Sequence, residues 1–393
     1  MKSERLLPEV GELSFGTLTE IVDFTGRLQE KDTWKRVGTN ELRVLPISDN
    51  PLSLFMSGND NEKERLGLQE YDDDVVLECM ENEGCVISLP KSEGGNIPVR
   101  YTAIRGIRDR AGINGPVFNR LNRYENADIL NTALRYWGSQ CLVLVRDQKV
   151  TAVHSGDAGD YSVLPQGDLF RAFREGLSEM FGEENLEFSG GFVGHELSGC
   201  DVRILHTTAS RAFARAFALI GESLDGMEPC IRLRVSDIAT NGANLYPILK
   251  SPDREIQVGS ALKLTHKYGH GISDFSLNLS RVMSLYRDGA DRMNALSAIP
   301  IRDPEGCIRN AARKLGLPKR YITGNPEEPG AADLLSMYGA DKTNAFEVYY
   351  YLFSIVDMMA RKGLSGREIF NMQENISRAL YLDWAELDCA CEW

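Results

Sequence analysis

The sequence has no run of about 18 apolar residues of the kind that crosses a bilayer as a helix, so a membrane-spanning protein is not expected. Its start, MKSERLLPEVGELSF, lacks the continuous apolar core of an export signal, and export is not expected either. No G-x-x-x-x-G-K-[ST] phosphate loop is present, and the dinucleotide-like string GHGISD carries Asp274 where the third glycine belongs. No G-x-S-x-G nucleophile elbow occurs. HELSG begins like a zinc-protease helix but has Gly199 where the second histidine would stand. Histidine is scarce, with five in the chain. The eight cysteines are scattered and read as reduced thiols. Only Cys389 and Cys391 lie close, and their single spacer residue falls short of a zinc knuckle. No obligatory cofactor or metal is expected.

What is present is an ordinary globular composition, 42% hydrophobic and 26% charged, over 393 residues. That length fits two packed units or one large α+β domain with insertions. The net charge of −13 argues against a surface that clings everywhere to nucleic acid. The charge comes in blocks. Residues 1–99 carry −10, 100–150 carry +5, 151–230 carry −8, 231–325 carry +7 and 326–393 carry −7. Two basic islands stand in an acidic chain.

The first island opens with PVRYTAIRGIRDRAGINGPVFNRLNRY (98–124), where Arg100, Arg105, Arg108, Arg110, Arg120 and Arg123 face one acid, Asp109. Tyr101, Phe118 and Tyr124 are interleaved. Guanidinium forks grip phosphates and aromatic faces accept bases, which suits a single-stranded nucleic acid. The competing reading is a solvated loop whose arginines pair with acids of the N-terminal segment, such as Asp72, Asp73 and Asp74. Next, Val143 and Val145, then Val150 and Val153, flank the polar RDQK and predict a β-hairpin within 141–164. In 165–181, Leu169, Phe173, Leu177 and Phe181 recur every four residues and predict a helix. SRAFARAFALIGESL (210–224) reads as a short helix with Phe213 and Phe217 on one face.

In the second island, Ile231, Leu233 and Val235 alternate with Arg232, Arg234 and Ser236, as in a strand with one buried face. A further strand run is expected over 256–268, handing over to a helix capped near Ser273 or Asp274. LKLTHKYGHGISDF (262–275) holds His266 and His270 four apart, with Lys263, Lys267 and Tyr268 nearby. A helix would set the two histidines at metal-ligand spacing, but Gly269 and Gly271 oppose one. A plain strand-to-helix junction is the simplest reading, a phosphate or partner contact the next. Helices dominate from 273 onward, and the Pro- and Gly-rich 318–342 reads as a surface connector. The expected fold is α+β: a β-rich, mostly antiparallel first two-thirds with inserted helices, then a helical C-terminal third. Its expected parts are an acidic region (1–95), an α+β core (96–270) and a helical region (271–393).

YTAIRGIRDRA (101–111), CLVLVRDQKVTAVHSGDAGDYSVL (141–164) and IRLRVSDIATNGANLYPIL (231–249) together resemble the phage/plasmid-like family known as a domain of unknown function. The resemblance covers roughly 95–385 by order of features. It implies a mobile-element protein in the cytoplasm of a bacterial host, and it brings no catalytic residues. The segment 59–95 is an acidic excursion from that pattern. The residues favour a non-enzymatic role, with the islands converging on a groove for single-stranded DNA or RNA in replication, recombination or annealing. Arg100, Arg105, Arg108, Arg120 and Arg123 would form one wall, and Lys263, His266, Lys267 and His270 the other, with Tyr101 and Tyr268 as stacking platforms. The alternative is an assembly protein whose charge blocks pair with a further copy or a host protein. A hydrolase or nuclease holding Mg²⁺ on Asp72, Asp73, Asp74 and Glu78 ranks behind both.

Overall fold

The computed structural model describes residues 5–155, 161–238, 242–251, 254–267, 269–325, 327–340, 342–364 and 366–391. Thirteen strands occur among them: β1 (Glu12–Phe15), β2 (Thr33–Gly38), β3 (Arg43–Pro46), β4 (Cys85–Ser88), β5 (Asn96–Pro98), β6 (Gln140–Arg146), β7 (Lys149–Ser155), β8 (Leu186–Gly194), β9 (Ser198–Ile204), β10 (Glu228–Val235), β11 (Ala243–Lys250), β12 (Glu255–Gln257) and β13 (Leu262–Leu264). They form a seven-stranded sheet in the order β1-β8-β9-β10-β11-β12, with β13 also on β11, and two three-stranded sheets, β2-β6-β7 and β3-β4-β5. All the strand pairings are antiparallel. Helices fill the chain from Ile272 onward. The fold is α+β.

Alternation along the large sheet decides which face carries the core. Cys200, Val202 and Ile204 of β9, Ile231, Leu233 and Val235 of β10, and Leu245 and Leu249 of β11 point to one side. They meet Phe170, Phe173 and Leu177 of the helix Gln166–Phe181, as its four-residue period predicts. Each fully buried phenylalanine there contributes of the order of 2 kcal/mol. This helix crosses Leu18–Lys31 so closely that a Cβ on Gly167 would lie 2.9 Å from the Gly26 Cα. Phe213 and Phe217 join the same core from a 3₁₀ turn, Ala209–Phe213, and a short helix, Ala214–Leu219. The other face of the sheet carries Asp201, Arg232, Arg234, Tyr246 and Lys250 and is covered by the helix Gly366–Ser377.

A second core lies within residues 37–153, where Val86, Ile87, Ile104, Ile107, Leu130 and Val143 pack together. The first 95 residues serve both cores: β1 and the helix Leu18–Lys31 belong to the large sheet, while β2 pairs with β6. At the junction, Leu144, Ala152 and Ile238 meet Trp34. Beside them the buried Arg146 donates from Nε to Asp32 at 2.8 Å and from Nη2 to Asp237 at 2.7 Å. The hairpin β6–β7 turns at Asp147 and Gln148, both at positive φ (49° and 67°), as a tight two-residue turn requires. The Asp147 carboxylate accepts from the Leu6 and Leu7 N–H groups and ties the chain's start to this turn.

Several expectations are corrected. The arginine-rich 98–124 is no open loop: Tyr101–Ala111 is helical because Ala103, Ile104 and Ile107 form a buried stripe, closed by Gly112 in the left-handed region. The strand run over 256–268 is broken, β12 and β13 pairing with opposite ends of β11. The following helix starts at Ile272, and Asp274 accepts from the Gly271 N–H from inside the first turn rather than at the cap. The connector 318–342 carries two helices, Lys319–Ile322 and Ala331–Tyr338, which bury Tyr321, Ile322 and Leu335.

Candidate functional site

The helix Tyr101–Ala111 packs its apolar stripe inward, so its arginines fall on the outer and flanking faces. Arg105 lies over the Tyr101 ring at 5.9 Å and donates to the Glu196 carboxylate at 3.3 and 3.4 Å. Arg108 covers Phe118 at 4.3 Å and donates to Asn126 at 3.1 Å, and its burial lowers its pKa. Arg120 is exposed. Arg123 donates to the Ile47 and Ser48 carbonyls at 2.6 and 2.5 Å, an anchoring role rather than an open contact. Arg100 is buried, ion-paired with Glu9 at 2.8 Å. Three tyrosines of this region reach solvent: Tyr101 is 54%, Tyr124 62% and Tyr136 86% exposed.

The second island is arranged otherwise. Lys263 is ion-paired with Glu374 of the covering helix. His266 is buried, with Nδ1 at 2.9 Å from the Ser162 carbonyl and Nε2 at 2.7 Å from the Ser236 carbonyl. With both ring nitrogens engaged indoors, it neither faces a groove nor pairs with His270 on a metal. His270 is half-buried with Nδ1 at 3.0 Å from the Thr265 carbonyl, and Lys267 is exposed. Tyr268 lies outside the described residues. The two islands approach each other through the interior, where His154, Tyr161 and His266 stack at 3.9 and 4.5 Å and Arg110 reaches His154 at 3.4 Å. Arg100, Arg123 and His266, three of the expected wall residues, are engaged within the fold instead.

Tyr101 also stands at a cleft of 800 Å³ between the two cores. Glu9, Glu12, His195 and Glu196 line it from the large-sheet side, Glu83, Arg100 and Thr102 from the other. Four of these side chains hold a buried polar atom without a hydrogen-bond partner: Oε2 of Glu9, which is ion-paired with Arg100, Oε2 of Glu83, Nε of Arg100 and Nδ1 of His195. Glu83 accepts from the Tyr101 N–H through Oε1 at 3.0 Å. Burial pushes its carboxyl up to about 7, against the pull of Lys149. His195 approaches the Pro8 carbonyl with Nε2 at 3.0 Å, so Nε2 carries the proton and Nδ1 is an acceptor. Burial, with Arg100 next, brings that imidazole down to about 3. The cleft thus offers a donor, an acceptor and a carboxyl that exchanges its proton near neutrality. Glu83 falls in the acidic excursion with no motif around it, and His195 opens the incomplete zinc-protease motif.

Asp73 is ion-paired with Lys63 at 2.6 Å, and Glu78 with Arg5 and Lys149 at 2.9 and 2.8 Å, so two of the four acids are engaged with cations. Among the described residues no group of three or more His, Cys, Asp or Glu is placed to hold a metal ion. Among them, too, no helix is long and apolar enough to cross a membrane. Comparison with protein families, curated proteins and solved structures finds no match to this chain.

Proposed function

We propose that the chain binds single-stranded nucleic acid along the outer surface of segment 101–136, with an unstacked base on Tyr101 at the mouth of the cleft. The observation that carries this is the exposure of Tyr101, Tyr124 and Tyr136 in a region that also presents Arg105 and Arg120. Each aromatic platform contributes about 1–3 kcal/mol per stacked base with little sequence preference. Residues 100–150 hold nine basic against four acidic residues, with Arg100, Arg146 and Lys149 buried in ion pairs and the rest at least partly exposed, while the flanking blocks are acidic and repel phosphate. A role in replication, recombination or annealing on a mobile element rests on the sequence resemblance. The test is binding of labelled single-stranded DNA and RNA across a salt series. Binding that weakens with salt, and weakens further in Tyr101→Ala and Tyr136→Ala, is expected; no binding at about 50 mM salt, where counterion release still favours association, overturns the reading.

A second reading, an assembly or host-interaction protein, is favoured by the exposed apolar side chains Leu52, Phe55 and Met56 around the 3₁₀ turn Pro51–Phe55. Sedimentation at low and high salt tests its self-assembly form, which a monomer at both would exclude.

A further inference from the structure

The polar face of the large sheet holds a buried charge cluster that the strand-binding surface does not use. Asp201 of β9 stands at its centre. Arg232 donates to it from Nε at 2.8 Å and Nη2 at 2.7 Å, Arg234 from Nη1 at 3.1 Å and Lys250 from Nζ at 3.0 Å. Arg232 reaches Glu255 as well, at 2.8 and 3.1 Å, and Gln373 at 2.6 Å. Its donors are fully used. Arg234 differs. Its Nη1 serves Asp201 and the Cys200 and Leu233 carbonyls, while Nε is buried without a partner in a residue only 8% exposed.

Three cations, Arg232, Arg234 and Lys250, form ion pairs with two carboxylates, Asp201 and Glu255, and Glu12 lies within electrostatic reach of Arg234. A buried charge left over is costly unless something pairs with it, and burial already lowers the pKa of Arg234. The sheet makes room for this guanidinium: opposite Arg234 in register is Gly199, whose Cβ would lie 2.6 Å from Arg234 Cδ and Nη1. Arg234 lies over the Phe192 ring at 5.2 Å and opens into a cavity of 270 Å³ lined also by Lys250, Arg254, Asp357 and Phe370. That volume is at or below the lower end of ligand pockets, about 300–1,000 Å³, and suits a small anion better than a nucleotide.

We propose that this cavity binds a phosphate-type oxyanion, with Arg234 as its principal ligand and Lys250 and Arg254 in support. A guanidinium matches the planar, paired geometry of phosphate oxygens. The proposal does not depend on strand binding at 101–136, which shares none of these residues. The anion has two sources, free phosphate or the backbone of a nucleic acid. Two carboxylates of the lining oppose the anion when ionised: Glu255, already paired with Arg232, and Asp357, whose carboxyl is raised to about 6 by burial and by Glu255.

The test is calorimetric titration of the full chain with inorganic phosphate, and separately with a short single-stranded oligonucleotide, in chloride of matched ionic strength at pH 7.5. Saturable phosphate binding is expected, weaker by about tenfold or more in Arg234→Gln, as for the loss of a charged hydrogen bond. Asp357→Asn keeps a neutral side chain at a half-buried site and should tighten binding several-fold. Tyr101→Ala should leave phosphate affinity unchanged, which separates this site from the strand surface. If the oligonucleotide alone binds and Arg234→Gln weakens it, the anion is a backbone phosphate. Absence of saturable binding by either probe, or binding indifferent to both Arg234→Gln and Asp357→Asn, overturns the proposal.

Discussion

The two basic islands carry similar charge in the sequence and opposite dispositions in the fold. On the helix Tyr101–Ala111 a buried stripe of Ala103, Ile104 and Ile107 leaves Arg105 and Arg108 at the outer and flanking faces, next to exposed tyrosines. On β10 the alternation is as regular, yet Arg232 and Arg234 point to a face roofed by the helix Gly366–Ser377 and are buried among Asp201, Glu255 and Gln373. A helix on the outside of a core has one solvent face. A strand has one only when nothing covers its sheet. Neighbouring arginines therefore end in different settings: partly exposed on the outer side of a helix in the first case, a buried electrostatic frame on β10 in the second.

Truncating one member of each set breaks the comparison at its strongest point. Arg232→Ala leaves Asp201 and Glu255 short of their main cation and should cost about 3–5 kcal/mol, as for a broken buried ion pair, read by urea denaturation. A loss below about 1 kcal/mol, the range of a surface pair, would mean the β10 cluster is solvated after all. Arg232→Met, with a similar apolar reach, should recover part of the loss.

The cleft gives the next effect, in the pH dependence of stability. The Glu83 carboxyl, at 4.5 ordinarily and about 7 in the fold, is protonated in the folded chain and ionised in the unfolded one between those values. Its contribution is present below about 4.5 and is lost as pH rises to about 7. His154 and His195, brought from 6.5 to about 3, act with the opposite sign, so their contribution is lost as pH falls below about 6.5. Glu83→Gln should shrink the decline between pH 4.5 and 7, leaving the part that Asp357, raised to about 6, contributes, and should leave the acid limb. An unchanged curve would remove Glu83 as its cause.

Smaller effects belong to the outer surface. Tyr136→Ala should weaken single-strand binding about fivefold or more, at the low end of base stacking, with unchanged urea midpoint. Arg105→Ala, removing a partly exposed pair with Glu196, should change stability by about 1 kcal/mol or less. A large stability loss in either would place these side chains in the frame instead of on the surface.

Much of the fold was legible because it is local. The period of Leu169, Phe173 and Leu177 marked a helix, and valines on both sides of RDQK marked the β6–β7 hairpin. Alternation along 231–235 marked β10 and its apolar face, but the expected single buried face is corrected: Arg232, Arg234 and Ser236 on the other side are buried too. What covers the other face was not legible, since Gln373 meets Arg232 from 141 positions away. The cleft was hidden for the same reason: Glu83, Arg100 and His195 come from three segments with no common pattern. His266 was expected on a groove wall, but Ser162 and Ser236 supply carbonyls that hold it indoors and that no local rule places beside it.

The central claim is that the first island faces a partner while the arginines of the second hold the sheet together. Its most direct test is the salt dependence of single-stranded DNA binding in Arg120→Glu beside the wild type, with Lys263→Glu as the second-island control. The account predicts weaker binding and a salt slope flatter by about 0.7 for Arg120→Glu, with affinity and slope unchanged for Lys263→Glu, whose ammonium is ion-paired with Glu374. Equal losses from both variants, or full affinity in Arg120→Glu, would contradict it.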